Sequence, residues 1–548
     1  MPRPIPTDFR DHRITVMGLG LHGGGLATAS WFLRHGADVT VTDLKTRAEL
    51  RPSAIALEAV ARRKGSGELT LVLGKHRAAD FRDADLIVQN PGVPRESPYL
   101  RIARLAGVPI ANDASIAFAL LRALASPPRI VAVTGTRGKS TTAALIYAMC
   151  VAAGRTAFLG GNIRIPIFSI LDRLCAAARR GSVDVILELS SWQCERLDRV
   201  SGGPDVAVLT NLLTDHLNRY RGMRDYANAK ERILFPPVGH SAMRAPIVVA
   251  NLANQWTRTM ARQSSRDISW FTPSATASVR VPVFTADDRW FFRRVGRRVD
   301  RIAPRRALAI PGSHNVANAL AAIAAARALD LSDVAIRRAL RTFSGLSGRF
   351  EVVSRRDGIT FINDTCATTP DATIAALRTA MEWRGDDEKL PMSPAPLRPM
   401  SGSSKSKTPS RAFGLSVYDN RPKWCGMSRR QIILIAGGTD KELNYCDWAK
   451  EIIQSVKSVV FLPGSATEKM EHELQKVSGS SAKGAGASSE NSKCSICHVA
   501  SMRAAVSTAR RLAERGNIIL LSPGAASFGL FLHEFDRGEQ FIRAVRGD

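Results

Sequence analysis

Residues 131–146 read VAVTGTRGKSTTAALI, an apolar strand that runs into a glycine loop and then into a helix opening with Ser and Thr. Backbone N–H groups along Thr134, Gly135, Thr136, Arg137 and Gly138, with the helix N-terminus at Lys139, Ser140 and Thr141, would cradle the phosphates of ATP. Lys139 would reach the β and γ phosphates, and the Ser140 hydroxyl could hold Mg2+. The loop is shorter than a strict Walker A loop, which needs a glycine where Val133 stands. Glu188 closes the strand VDVILE, at the mouth where open α/β sheets collect ligands, and a carboxylate there suits Mg2+ or accepts a structural hydrogen bond. His216, in TDH after a further strand, suits a second Mg2+ or a phosphate, or else caps its loop. Lys230, in the helical YANAKERI, reads on its own as an ordinary exposed lysine.

A second glycine loop precedes the first. MGLGLHGGG, residues 17–25, follows the strand-like ITV, and Gly18, Gly20 and Gly23 fit G-x-G-x-x-G. Asp43 ends the next strand, VTVTD, where a ribose-binding acid belongs in dinucleotide-binding folds. Alone, this loop would suggest a nicotinamide enzyme. No acid/base set placed for hydride transfer accompanies it, and the 131–146 loop would then have no role.

The elements that must carry these groups alternate along the chain. Strands ITVMGLG, DVTVTD, LTLVLG, DLIVQNPG and PIAND alternate with helical stretches over the first 120 residues, the pattern of a parallel sheet wrapped by helices. SPP at 126–128 punctuates the chain, and RIVAVTG, VDVILELSS, VAVLTN and PIVVAN predict a second parallel sheet to about residue 345. From RFEVV onward, GITFIND, QIILIAGG, SVVFLPG and NIILLSPG predict a third. Residues 384–430 and 477–493 are rich in Pro, Ser, Gly and Lys and read as disordered surface insertions. The expectation is three consecutive α/β domains, at 1–120, 121–345 and 346–548.

At 548 residues, 45% apolar and 23% charged, the composition is globular. The polar N-terminus and the lack of a long apolar run predict a cytoplasmic protein with no membrane partner. The 8 cysteines are scattered like reduced core residues, and Cys494 and Cys497 form a CxxC with no partner motif. The net charge of +28 and the seven arginines within residues 293–306 could suit nucleic acid. That run lacks interleaved stacking aromatics and alternates as an exposed hairpin would, so a solvated face is expected and no nucleic-acid partner.

The loop form TGTxGKST resembles that of the Mur ligases and folylpolyglutamate synthases. Further matches follow in order: GGNI at 160–163, ELSSWQCE at 188–195, NLLTDHLNRY at 211–220, YANAKERI at 226–233, GSHNVANALAA at 312–322, SGRFE at 347–351, INDTCATTPDA at 362–372, GGTDK at 437–441 and SPGAASF at 522–528. Together they resemble the Mur ligase branch that adds D-glutamate to UDP-N-acetylmuramoyl-L-alanine in peptidoglycan synthesis. The resemblance implies a Rossmann-like UDP-binding domain, a central P-loop ATPase-type domain and a C-terminal Rossmann-like domain that takes the amino acid. A carboxylate is a poor electrophile, so amide formation would proceed through phosphoryl transfer from ATP to give an acyl phosphate. ATP and two Mg2+ are implied, acting on small-molecule substrates in a monomer.

On the same resemblance Lys139, Glu188, His216 and Lys230 are the catalytic set, and Ser140, Glu188, His216 and a carbamylated Lys230 hold the metal. Asn315 and Asn318, on one helix face, with Arg349 and Asp364, complete the ATP contacts, the last two arriving by domain closure. Gly20, Leu21, His22, Asp43, Lys45, Asn90, Pro91, Gly92, Asn162, Ser191 and His216 line the UDP-substrate site. Thr368, Lys441 and Ser527 hold D-glutamate, and a cationic lysine suits a dianionic amino acid. The chain departs from the family at Arg137, where Asn is usual and which adds positive charge beside the phosphates, and at Cys366, where many members carry lysine. Phe531 and Phe535 are the candidates for the phenylalanine that packs over glutamate. Another Mur-type ligase with a different amino acid is the alternative; folate chemistry is disfavoured by the N-terminal glycine-loop domain.

Overall fold

The computed structural model describes residues 6–20, 23–198, 202–217, 219–235, 247–264, 267–274, 281–382, 431–481 and 494–547. Leu21 and His22, and the stretch 384–430, lie outside the described residues. The chain divides into two compact units, Met1–Leu308 with Asn315–Phe343, and Ala309–His314 with Ser344–Asp548.

The first unit holds two sheets. Strands β1 (Arg13–Met17), β2 (Asp38–Asp43), β3 (Leu69–Leu73), β4 (Leu86–Gln89) and β5 (Ile110–Ala111) are all parallel, in the order β3-β2-β1-β4-β5. The order reverses direction beside β1, so the crevice that binds ligands in such sheets opens at the end of β1, where the first glycine loop begins. The second sheet is built from β6 (Arg129–Thr134), β7 (Ala157–Gly161), β8 (Asp184–Glu188), β9 (Val206–Leu209), β10 (Ile247–Asn251), β11 (Ile268–Phe271), β12 (Val283–Ala286), β13 (Trp290–Val295) and β14 (Arg298–Pro304), ordered β14-β13-β12-β11-β10-β9-β6-β8-β7. Its strands are parallel from β7 to β12, but β12, β13 and β14 form an antiparallel meander. The four strands read from the sequence, β6, β8, β9 and β10, are parallel as expected, and the arginine-rich run forms the β13–β14 hairpin. Short turns at residues 287–289 and 296–297 leave no room for crossover helices, and strands joined so tightly must run antiparallel.

One hydrophobic core runs through both sheets. Trp31 and Phe32, on the helix Gly24–Arg34, pack their rings 5.2 and 5.6 Å from Phe168 on the helix Ile167–Ala178, and Trp31 Nε1 donates to Asp172 Oδ1 at 2.7 Å.

The second unit contains β15 (Glu351–Arg356), β16 (Ile359–Asn363), β17 (Ile432–Ala436), β18 (Val456–Phe461), β19 (Ser495–His498) and β20 (Ile518–Leu521), ordered β15-β16-β20-β17-β18-β19, with only β15 antiparallel to its neighbour. IILIA of β17 is buried along its whole length, as a central strand covered on both faces requires. The helix Ser465–Ser481 runs into the 477–493 stretch read as an insertion, whose remainder, 482–493, lies outside the described residues. Cys494 packs against one core cluster of this unit and Cys497 against another.

Candidate active site

Strand β6 delivers the loop 135–138 to the N-terminus of the helix Lys139–Ala152, whose cap, Gly138, has φ +80 and no side-chain cap bond. The helix's first N–H groups are thus not taken by a capping side chain, as an anion site requires. The loop is tied down from the next strand over: Thr136 N donates to the Asn211 carbonyl at 2.8 Å and Arg137 N to Asn211 Oδ1 at 2.9 Å. Asn211, just beyond β9, carries a role that the sequence reading left unassigned; its place after a strand adjoining β6 was the available signal. The Asn318 side chain lies against Gly138, and Asn318 Nδ2 donates to Asn315 Oδ1 at 3.0 Å, so the two asparagines meet each other and the loop as their spacing predicts.

Lys230 is 1% exposed, which corrects the reading of its sequence alone as a surface lysine. The helix Met223–Glu231 turns it inward, where Nζ donates to the Gly135 carbonyl at 2.8 Å and to Thr134 Oγ1 at 3.3 Å and sits 4.8 Å from the centre of the Tyr226 ring. Burial, with the neighbouring Lys139 charge, lowers its ammonium to about 7, which favours the neutral amine. Lys139 Nζ donates to the Thr136 carbonyl at 3.0 Å.

Glu188 is 1% exposed at the end of β8. Its Oε1 accepts from Asn162 Nδ2 at 3.1 Å, while its buried Oε2 has no hydrogen-bond partner. A carboxylate oxygen left in that condition calls for a cation, so Glu188 fits Mg2+. A lysine amine does not; Lys230 fits the metal only once carbamylated. Among the described residues no group of three or more His, Cys, Asp or Glu side chains could hold a metal by itself. His216 takes φ +55, faces Trp192 and Tyr226 at 5.7 and 6.0 Å between ring centres, and lies beside Asp215. Asp215 also pairs with Arg137 at 3.0 Å, which offsets the extra positive charge expected from that departure. Ser191 is buried at the start of a short helix capped by Ser190 and Gln193.

The first glycine loop is held differently. Asp43 Oδ2 accepts from Leu19 N at 2.8 Å and Gly20 N at 3.1 Å, and Oδ1 from Lys45 N at 2.9 Å. The acid at the ribose position is therefore spent on the loop itself. Lys45 is exposed and 3.6 Å from Glu49. Asn90 joins β4 to the loop by donating from Nδ2 to the Gly18 carbonyl, and Asn90, Pro91 and Gly92 form a turn closed by Val93 N on the Asn90 carbonyl at 3.0 Å.

In the second unit, three expected residues come together in two pairings. Lys441 Nζ donates to Thr368 Oγ1 at 3.3 Å. Thr439 and Ala526 exchange backbone hydrogen bonds at 2.9 and 3.0 Å, which sets GGTDK beside the segment holding buried Ser527. Asp440 is bonded to Lys469 and to the Tyr445 hydroxyl, so the acid next to Lys441 is already neutralised. Phe531 belongs to the core and Phe535 stacks edge-on to His533; the neighbour of Ser527 with an exposed ring is Phe528, at 59%. Arg349 is exposed on the loop before β15. Asp364, at the end of β16, accepts from Phe350 N at 3.1 Å and the Ser522 hydroxyl at 3.0 Å, and burial pushes its carboxyl up to about 7.

A parallel sheet and a largely parallel one, with glycine loops at their ligand-binding ends and the second backed by buried Lys230 and Glu188, define a nucleotide-handling α/β protein. Comparison with known proteins makes that particular. Residues 133–326 match the Mur ligase middle domain, and residues 12–112 the Mur ligase MurD-like N-terminal domain. The chain is 36% identical to the UDP-N-acetylmuramoylalanine--D-glutamate ligase of Roseiflexus sp. strain RS-1, covering 97% of this chain and 98% of that one. It is 30% identical to the ligase of the same name from Methylobacillus flagellatus, over 98% and 97%. The fold is also that of the UDP-N-acetylmuramate-alanine ligase of Thermotoga maritima, with a TM-score of 0.55 at 19% identity over 98% and 99% of the two chains. The chain belongs to the Mur ligase family, among the UDP-N-acetylmuramoylalanine--D-glutamate ligases.

Proposed function

We propose that the chain joins D-glutamate to UDP-N-acetylmuramoyl-L-alanine, with ATP as phosphoryl donor. The observation that carries this reading is the likeness, over nearly the full length, to chains named for that activity. A carboxylate oxygen of the alanyl group attacks the γ phosphorus of ATP and ADP leaves, giving an acyl phosphate. The amine of D-glutamate then attacks the acyl carbon, phosphate leaves, and the nitrogen loses a proton as the amide forms.

In this reading the 135–138 loop and the helix behind it hold the ATP phosphates, with Lys139 on the transferred group and Asn315, Asn318, Arg349 and Asp364 as further ATP contacts. Two Mg2+ ions when bound would neutralise the phosphate oxygens, held by Ser140, Glu188, His216 and carbamylated Lys230. Carbamylation joins the Lys230 nitrogen to CO2 and releases a proton; the lowered ammonium and the orphaned Glu188 oxygen support it, since a neutral amine is the reacting form. Gly20, Leu21, His22, Asp43, Lys45, Asn90, Pro91, Gly92, Asn162 and Ser191 are assigned to the UDP substrate, and Lys441, Thr368 and Ser527 to D-glutamate. No described helix is long and apolar enough to cross a membrane, and we take the enzyme to be a cytoplasmic monomer acting on small molecules.

The test is phosphate release by purified protein with ATP, Mg2+, UDP-N-acetylmuramoyl-L-alanine and a panel of amino acids. Release is expected with D-glutamate. Release with L-lysine or meso-diaminopimelate alone would establish another Mur-type ligase instead.

A further inference from the structure

The turn at residues 90–93 is fastened to the second sheet by a cluster of arginines outside the phosphate loops. Arg219 reaches two ways. Its Nη1 donates to the Val93 carbonyl at 3.3 Å, while Nε and Nη2 grip both oxygens of Glu195 at 3.1 and 2.9 Å. The pair is largely shielded from water, with side-chain exposures of 13% for Arg219 and 4% for Glu195. Such a bidentate pair in low dielectric fixes geometry as well as charge. The Tyr220 hydroxyl adds a 2.6 Å bond to Glu195, and the Arg219 guanidinium stacks 4.8 Å from the centre of the Trp192 ring, whose other neighbour is His216. The turn itself is stiffened from its own side, since Gln89 Nε2 also donates to the Val93 carbonyl at 2.9 Å and Gln89 Oε1 accepts from Arg196. Arg95 continues the seam to Asp225 at 3.2 Å.

We propose that Arg219 and Glu195 clamp the 90–93 turn against the loop that carries His216, and that Arg219 is a positioning residue for the nucleotide-sugar substrate. The inference rests on the reading that this turn borders the UDP substrate. Arg219 is three residues beyond His216, but its guanidinium reaches the Val93 carbonyl, so its effect falls on the nucleotide end of that substrate. Lysine cannot replace it, because one ammonium on a flexible stem cannot grip a carboxylate bidentately while donating in a second direction.

The test uses Arg219→Lys and Glu195→Gln in the full-length protein, each checked by thermal melting, with binding of UDP-N-acetylmuramoyl-L-alanine and of a non-hydrolysable ATP analogue measured by calorimetry. The clamp predicts about tenfold weaker binding and a similar rise in KM for the UDP substrate in both variants, with ATP-analogue binding and kcat within about twofold of the parent. Equal loss of affinity for both ligands, or a fall in kcat at unchanged KM, overturns the positioning role. Variants that bind the UDP substrate as the parent does overturn the clamp alone; a parent protein that does not bind it overturns the underlying reading and the clamp with it.

Discussion

The two glycine loops of the first unit share a plan and differ in charge. Each follows the first strand of its sheet, each ends in a left-handed glycine cap, at Gly23 with φ +80 and at Gly138 with φ +80, and neither helix has a side-chain cap bond. A side chain at or just past the end of a neighbouring strand ties down each loop. In the first loop it is the carboxylate of Asp43, in the second the neutral amide of Asn211. A fixed anion beside the first loop opposes dense negative charge, whereas the Lys139 ammonium beside the second attracts it. Glycine spacing is common to the two loops; the flanking charge is what distinguishes them. Under the proposed function the triphosphate falls to the second loop and the more weakly charged diphosphate of the nucleotide sugar to the first.

The largest expected break in this contrast is Lys139→Ala, which should lower kcat about 10³-fold, as loss of a transition-state charge contact does, with little change in UDP-substrate binding. Gly138→Ala comes next. Its new Cβ would stand 2.1 Å from Asn318 Oδ1 at φ +80, so ATP KM should rise about tenfold or more in steady-state assays. Asp43→Ala leaves two loop N–H groups without their acceptor and should raise KM for the UDP substrate about tenfold while leaving that for ATP unchanged. Gly23→Ala, the mirror of Gly138→Ala, meets no atom within 4 Å and should cost only about 1 kcal/mol by chemical denaturation, from its φ of +80.

A second pair sharpens the point about burial. Lys230 is lowered and Asp364 raised, each to about 7, with desolvation as the main cause in both. For Asp364 the folded-state value stands above the ordinary 3.8, so its burden on stability is absent at strongly acid pH and grows as pH rises from about 4 to about 7. Asp364→Asn should accordingly raise the melting temperature at pH 8 and leave it unchanged at pH 3, while weakening ATP binding. An equal gain at both pH values would refute the burial argument.

Much of this contrast is legible in the residues themselves. The strand-loop-helix at 131–146, the strand-end place of Glu188 and the shared face of Asn315 and Asn318 follow from local pattern, which the chain obeys. Lys230 could not be read this way. Its helix, MRDYANAKE, is polar on average, and its burial depends on Tyr226 and the 134–136 backbone brought from far along the chain. The same holds for Asp43, whose position was legible and whose partners, the N–H groups of Leu19 and Gly20, were not. Arg219 and Glu195 were hidden for that reason too: their geometry exists only where the two sheets of the first unit meet.

Phosphoryl transfer to the alanyl carboxylate can be followed by isotope tracing. With UDP-N-acetylmuramoyl-L-alanine labelled with 18O in that carboxylate, turnover with ATP and D-glutamate should place one labelled oxygen in the released inorganic phosphate, read by mass spectrometry. Unlabelled phosphate, or label appearing in AMP, would contradict it.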